Sequence, residues 1–113
     1  MPILHIANSL EAELANPNVP AFPLDGTTPT TLARDLNRED GFATGLWETT
    51  PGRFRRQSPK AEMMHVLVGS CTFTPDDGEP VVINAGDTVY FPAHTAGTWD
   101  VTSTLRKVFA VIG

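Results

Sequence analysis

The chain has 113 residues, which is the usual size of one domain. Hydrophobic residues make up 41% of it, enough for one core and too many for a disordered chain. The formal net charge of −5 argues against nucleic acid and anionic membranes as partners, since both attract clustered Lys and Arg. A single cysteine, Cys71, excludes an intramolecular disulfide and is typical of a reducing compartment. With no visible secretory leader or membrane-spanning run, we predict a cytoplasmic protein.

Residues 1–40 are interpreted as an irregular N-terminal arm that belongs to the same domain as the rest of the chain. The apolar run at 1–6 predicts an edge strand, and the pair Asn8 and Glu11 indicates the start of a short helix. Residues 16–30 contain four prolines, which is too many for a central strand. Residues 31–40 predict a second short helix.

Residues 41–113 have the sequence pattern of an all-β domain. Short runs of β-favouring residues such as Met63–Val68 are bounded by turn signals, and Asp77-Gly78 predicts a tight hairpin. The pattern predicts roughly seven or eight short strands, with a turn every 8–12 residues or so, which is typical of a sandwich or barrel. The absence of long helices between the strands argues against a parallel α/β sheet.

Two stretches in this region resemble the motifs of the cupins, Glu62–Gly69 and Gly86–Pro92. The first has the spacing of Glu, six residues and Gly that ends the first cupin motif, and the second begins with the Gly-Asp pair of the second motif. The chain resembles most closely the small single-domain cupins similar to the cupin domain of (S)-ureidoglycine aminohydrolase. Further shared features are Gly45-x-Trp47-Glu48-x-x-Pro51-Gly52, Asp77-Gly78, Gly97-x-Trp99 and Arg106-Lys107. The resemblance implies an all-β fold, the RmlC-like jelly-roll barrel or double-stranded β-helix, over residues 41–113.

The resemblance also implies where a metal would bind, and this sequence departs from that pattern. Metal-binding cupins use two histidines and the glutamate of the first motif and a histidine of the second. Here the two histidine positions fall at Arg56 and Ser58, or one residue earlier, and the last falls at Gly97. Only Glu62 remains of the four ligands. We therefore expect no metal and no cofactor, because transition metals want three or four N or S donors.

The candidate ligand-binding residues are Glu62, Trp47, Arg56, Met64, Trp99 and His94. Glu62 could act as a metal ligand, a general base or an acceptor for a cationic ligand, or it could pair with Arg55 or Arg56 at the barrel rim. We hypothesise that Arg56 occupies the space of the missing metal and pairs with Glu62. His65 lies three residues after Glu62, which on a strand places it on the opposite face.

The other candidates each have a plainer alternative. The two tryptophans could line a cavity or simply pack in the core. Met64 could face a ligand or fill the barrel. His94 lies in a turn, where it could reach into the barrel mouth or lie in solvent. Cys71 has no His or Asp near it in sequence, so we expect a buried apolar role for it.

Three functions remain open at this point. The first is a cupin that binds a small polar or anionic molecule in its barrel without a classical metal site. The second is a weakly metal-dependent enzyme of the ureidoglycine aminohydrolase-like or isomerase kind, with the metal held by Glu62 and water. The third is a structural or dimerisation module with a filled cavity. A homodimer is expected in all three, because a small barrel gains core by pairing.

Overall fold

A computed structural model describes residues 2–39 and 41–112 of the chain, and these residues form β-strands, turns and irregular segments without any helix. The strands are β1 (Ala15–Asn18), β2 (Thr31–Glu39), β3 (Phe42–Thr49), β4 (Gly52–Gln57), β5 (Ala61–Pro75), β6 (Val81–Asn84), β7 (Thr88–Phe91) and β8 (Ala96–Ile112). All pairings are antiparallel, so the predicted all-β jelly-roll class is confirmed. The described residues contain no helix that is long and apolar enough to cross a membrane.

The two longest strands, β5 and β8, form the pair around which the others are arranged. They pair from Ala61 opposite Ile112 to Pro75 opposite Gly97. The first half of β5 also pairs with β7, and its second half pairs with β6. The first half of β8 also pairs with β4, and its second half pairs with β3. One layer therefore contains β1-β2-β3-β8-β5-β7 and the other contains β4-β8-β5-β6, as in a jelly roll.

The strand β5 bends from one layer into the other near its middle. The pairing register with β8 shifts between Val66 and Val68, between Val68 and Ser70, and again before Cys71. Such bulges bend a strand and increase its twist. Gly69 lies at the bend with a φ of +93°, and a Cβ at this position would overlap the carbonyl oxygen of Thr104. The close approach of the two backbones at the bend therefore requires glycine.

The core lies between the two layers and is rich in aromatic residues. Phe73, Phe91 and Trp99 form a contact group in which ring centroids are 4.9 to 5.5 Å apart. The other members of this buried cluster are Phe54, Met64, Val66, Cys71, Ile83, Val101 and Leu105. These residues come from both layers, so one continuous core holds the sandwich together.

Several predictions of local structure were wrong, because contacts between distant parts of the chain determine the conformation there. Residues 31–39 form the strand β2 rather than a helix, because they pair along β3 from Thr31 opposite Thr49 to Glu39 opposite Phe42. Asn8 and Glu11 form only a turn, closed by the Glu11 N–H donating to the Asn8 carbonyl oxygen at 3.0 Å. Residues 2–6 are not a strand. Met1 and residue 40, which belonged to these predictions, lie outside the described residues.

The number of strands after residue 41 was also predicted too high. The structure has six strands between 42 and 112, because β5 and β8 are each long enough to take the place of two short strands. The run Met63–Val68, predicted as a short strand, continues through the bulged bend at Gly69 as far as Pro75. The hairpin predicted at Asp77-Gly78 is present as the turn between β5 and β6.

Replacement of Gly69 by alanine should destabilise the fold more than the same change at Gly86. Both glycines have a positive φ, +93° and +95°, so alanine is strained at each, at a cost of about 1–3 kcal/mol. An added methyl group meets the backbone of Thr104 at position 69, whereas nothing lies within 4 Å at position 86. We expect Gly69→Ala to lose at least about 2 kcal/mol more of the free energy of unfolding, measured in urea. Equal losses for the two variants would contradict this account of the bend.

Candidate functional site

The inner faces of β3, β4, β5 and β8 surround a cavity of about 550 Å³. This volume is within the range of about 300–1,000 Å³ that is typical of small-molecule sites. Aromatic side chains of Trp47, Phe54 and Trp99 line it, and three charged side chains project into the same space: Arg56, Glu62 and Lys107. The cavity thus combines apolar walls with a small cluster of charges.

Glu62 and Lys107 form an ion pair inside the barrel. The Lys107 Nζ donates to Glu62 Oε2 at 2.8 Å, and the side chains of the two residues are 9% and 10% exposed. A buried carboxylate or ammonium is costly unless it is paired and hydrogen-bonded, so each of these groups depends on the other. The Lys107 Nζ also lies 3.8 Å from the Met64 sulfur, which places Met64 directly beside the pair.

Strand alternation explains why Lys107 points inward. Leu105, Lys107 and Phe109 are buried in turn along β8, and the residues between them face outward or are half-exposed. From the sequence, Lys107 stands out only as part of the Arg106-Lys107 pair. The period-2 pattern from Leu105 to Phe109 was the signal that could have placed the lysine in the cavity.

The ammonium of Lys107 lies over two aromatic faces. Its Nζ is 4.8 Å from the centroid of the Trp47 ring and 5.5 Å from that of Trp99. Cation–π contacts of this kind stabilise a cation that has lost part of its water shell. The two tryptophans therefore line the cavity while packing in or against the core cluster, and they also help to hold the lysine in place.

Arg56 is the charged group of this cluster with the poorest hydrogen bonding. Its Nη1 lies 3.4 Å from Glu62 Oε1, and its Nη2 lies 3.4 Å from the Lys60 carbonyl oxygen. Its Nε is buried and has no hydrogen-bond partner among the described residues. The pKa of Arg56 is lowered from its ordinary value, because the effect of burial outweighs the opposing effect of the Glu62 charge. The hypothesised Arg56–Glu62 contact is present, and it leaves hydrogen-bonding capacity of the guanidinium unused.

The N-terminal arm crosses the mouth of this cavity. Residues 18–22 contribute to its lining. On one side of the mouth β1 pairs with β2. On the other side the Arg55 N–H donates to the Phe22 carbonyl oxygen and the Leu24 N–H donates to the Arg53 carbonyl oxygen, both at 2.9 Å. The arm is therefore anchored to the sheet at both ends of the segment that covers the cavity.

The structure separates His94 from the other candidate residues. Glu62, Trp47, Arg56 and Trp99 line the charged cavity, and Met64 contacts Lys107 beside it. His94 is exposed in the turn before β8, with a φ of +65°, and lines a second hollow of about 570 Å³.

The second hollow lies beside β6 and β7 and has no comparable cluster of charges. Its lining includes Ile83 and Tyr90, together with the neighbouring carboxylates Asp76 and Asp77 and no Lys or Arg. Asp76 is already bound at 2.6 and 2.7 Å by Arg55. That pairing lowers the pKa of Asp76 and raises the pKa of Arg55. His65, on the outer face as predicted, lies 2.8 Å from the Thr88 hydroxyl.

The residues around Glu62 do not fit the metal that the cupin pattern implies. No group of three His, Cys, Asp or Glu side chains within residues 2–39 and 41–112 could hold a metal ion. Both oxygens of Glu62 face cations, Lys107 on one and Arg56 on the other. Two fixed positive charges at the single carboxylate would repel a divalent cation. The buried thiol of Cys71, whose pKa burial raises to about 11, lies in the core cluster.

Comparison with known proteins places the chain among the cupins. Residues 36–109 match the family model of the EutQ-like cupin domain. The chain belongs to this family. Comparison with curated proteins gives no match. The finer resemblance to the cupin domain of ureidoglycine aminohydrolase stays a prediction.

Three solved structures illustrate the similarity of this EutQ-like cupin to others. A DUF861-family protein of unknown function from Pseudomonas syringae pv. tomato DC3000 is 24% identical with a TM-score of 0.76, over 90% of this chain but only 45% of that protein. The EutQ protein of Clostridium difficile is 18% identical with a TM-score of 0.66, over 81% of this chain and 76% of that one. A DUF861-family protein from Thermotoga maritima is 30% identical with a TM-score of 0.57, over 58% of this chain and 75% of that one.

Removal of the Lys107 ammonium should destabilise the protein far more than removal of one member of an exposed ion pair. Lys107→Met leaves the Glu62 carboxylate buried with only the 3.4 Å contact to Arg56, and we expect a loss of about 3 kcal/mol in unfolding free energy. Adding Glu62→Gln to the Lys107→Met variant should restore part of the lost stability, because the buried carboxylate without its lysine is then gone. Chemical denaturation of the single and double variants gives the coupling energy.

The surface pair Arg38–Asp35 is the matched control for this cycle. Its side chains are 64% and 41% exposed, so Arg38→Ala should change the unfolding free energy by about 0–0.5 kcal/mol. A Lys107→Met variant that is no less stable than Arg38→Ala would contradict the view that Glu62 depends on the lysine.

Proposed function

We propose that this EutQ-like cupin binds a small anionic molecule, a carboxylate-bearing compound, in its barrel without a classical metal site. The observation that carries the proposal is Arg56, whose side chain is 9% exposed and whose Nε has no hydrogen-bond partner among the described residues. A guanidinium has five N–H donors, and the contacts of Arg56 at 3.4 Å use few of them well. A ligand carboxylate is the natural acceptor for those donors.

The charge balance of the cavity supports an anion rather than a cation. Four basic residues and one acidic residue line it, but Arg38 is paired with Asp35 and Arg55 with Asp76. Arg56 and Lys107 remain against Glu62 alone, which leaves an excess of one positive charge. This local excess is opposite in sign to the net charge of the whole protein, which is −5. The electrostatic potential of this excess charge favours an anion over a cation in the cavity.

The aromatic walls suggest the size and character of the ligand. Trp47, Phe54 and Trp99 surround the charges, so the molecule needs a compact apolar or planar part next to its carboxylate. The open volume of about 550 Å³ favours ligand binding over a structural module whose cavity is filled by side chains. A weakly metal-dependent enzyme finds less support, since Glu62 is already neutralised by Lys107 at 2.8 Å.

A titration with matched acids and amides tests the proposal. We expect small mono- and dicarboxylates to bind, as followed by calorimetry or by NMR shifts of the Trp47 and Trp99 indoles, and the corresponding neutral amides to bind at least tenfold more weakly. Arg56→Gln should weaken carboxylate binding at least tenfold, about 1.4 kcal/mol, while leaving the Lys107–Glu62 pair in place.

Arg53→Gln is the control variant for this titration. Arg53 lies on the same strand as Arg56, but its side chain is 46% exposed and pairs with Asp25 on the surface. We expect Arg53→Gln to bind carboxylates like the unchanged protein. Equal affinity for acids and amides, or an equal effect of the two substitutions, would refute the proposed function.

We propose in addition that the protein forms a homodimer through the outer face of the β3-β8-β5-β7 layer. Four large apolar side chains on this face are about half exposed or more: Phe42, Met63, Tyr90 and Ile112. Strand register makes them neighbours, since Met63 lies opposite Tyr90 and Ala110, and Ile112 lies opposite Phe42. None of them is charged, so a second copy can pack here without bringing like charges together.

Light scattering at micromolar concentration tests the dimer. We expect twice the mass of the single chain, and we expect Met63→Glu with Tyr90→Ser to convert the protein to a monomer that keeps its fold. A monomeric unchanged protein would rule out the dimer. The carboxylate titration is independent of this result, because the cavity lies on the opposite face of the sheet.

A further inference from the structure

Lys107 has the surroundings of a reactive amine, beyond its part in an ion pair. We propose that its Nζ forms an imine with a small carbonyl compound that also carries a carboxylate, of the 2-oxo acid class. This inference rests on the proposed function, because it uses the same cavity, and it adds a covalent step and a substrate class. The observations that support it are the position of the amine, the carboxylate beside it and the unused donors of Arg56.

The position of the amine is specific to one of the two lysines in the chain. Lys60 is exposed in the segment before β5, and only its backbone carbonyl contacts Arg56. Lys107 is nine-tenths buried and lines the cavity, with its Nζ between two indole faces and the Met64 sulfur. A carbonyl compound inside the barrel therefore meets one lysine amine, which lies beside the apolar faces of two indole rings and a thioether.

Glu62 is placed to handle the protons of the reaction. Its Oε2 lies 2.8 Å from the Lys107 Nζ, within the distance for direct proton transfer. The carboxylate accepts a proton from the ammonium, and the nitrogen lone pair then attacks the carbonyl carbon to give a carbinolamine. Glu62 then returns its proton to the hydroxyl of the carbinolamine, which leaves as water while the nitrogen lone pair forms the C=N bond. The ammonium and the carbonyl compound thus condense to a protonated imine and one water, and Glu62 is again a carboxylate. No oxidant, reductant or metal enters this step.

Arg56 supplies the reason for the carboxylate on the substrate. Arg56 and Lys107 contact opposite oxygens of Glu62, at 3.4 and 2.8 Å, so the guanidinium and the amine lie on the two sides of one carboxylate group. A 2-oxo acid has its carboxylate next to its carbonyl carbon. A molecule of this shape can present its carboxylate to the guanidinium while its carbonyl carbon meets the amine.

Reductive trapping tests the proposal directly. We treat the full-length protein with pyruvate or glyoxylate and cyanoborohydride, which converts an imine into a stable secondary amine, and locate the added mass by peptide mapping. We expect modification of Lys107 at least tenfold faster than modification of Lys60. Lys107→Arg, which keeps a positive charge beside Glu62, should lose this fast modification, and Lys60→Arg should keep it. Equal rates at the two lysines would overturn the proposal.

Further variants separate the roles of the neighbouring residues. Glu62→Gln should slow trapping at neutral pH and shift its rate profile to higher pH, since a carboxylate is no longer present to take the proton. Arg56→Gln should reduce the preference for pyruvate over acetone by at least tenfold. If Glu62 has only a structural role, the pH profile of trapping per folded molecule should be the same in Glu62→Gln and in the unchanged protein. That result would overturn the part of Glu62 in the step.

Lactate separates a failure of imine formation from a failure of carboxylate binding. Lactate and its amide have no carbonyl group that can form an imine with an amine under these conditions, so they report on carboxylate binding alone. Binding of lactate without trapping of pyruvate would overturn the imine and keep the proposed function. Trapping at Lys107 without any preference for carboxylated compounds would keep the imine and overturn the selection by Arg56.

Discussion

The buried ion pair of Glu62 and Lys107 is the constraint on which the interior of this barrel depends. Two opposite charges out of water are tolerated only while they remain in contact, so the strands that carry them must keep one register. In that register Glu62 lies opposite Val111 and Lys107 opposite Val66, with Met64 between them on the inner face. The lysine side chain therefore runs past Met64 to reach the carboxylate, and the contact of its Nζ with the Met64 sulfur records this path.

The same pair explains how a cupin can keep its glutamate after losing the histidines of the metal-binding pattern. A carboxylate in this position needs a positive charge nearby, and here lysine and arginine side chains provide it on either side. A metal would also offer open coordination positions. A lysine offers an amine and hydrogen-bond donors instead, which are the groups that the proposed anion binding and imine formation use.

The sequence was sufficient for the fold class and for two of the three charged residues that project into the cavity, Glu62 and Arg56. Motif spacing identified Glu62, and alignment on the motif placed Arg56 next to it, because residue spacing along paired strands is preserved when the side chains change. Lys107 was not predicted to face the cavity, because none of the expected metal-ligand positions falls on it and a lysine in a β-strand is usually solvated. The strand β2 was missed because its pairing with β3 is a long-range contact that no local pattern reports.

Arg106 and Lys107 show how one short segment can organise both faces of the sheet. Alternation sends Lys107 into the cavity and Arg106 to the outside, where Arg106 binds Glu48 at 2.9 Å and the backbone carbonyls of Ser9 and Ala12 at 2.9 and 2.8 Å. The outer contacts fix the start of the arm, and the arm then crosses the cavity mouth at residues 18–22. Since a slip of one residue would exchange the two side chains between faces, the register of β8 determines the charge inside the barrel and the attachment of the segment that covers it.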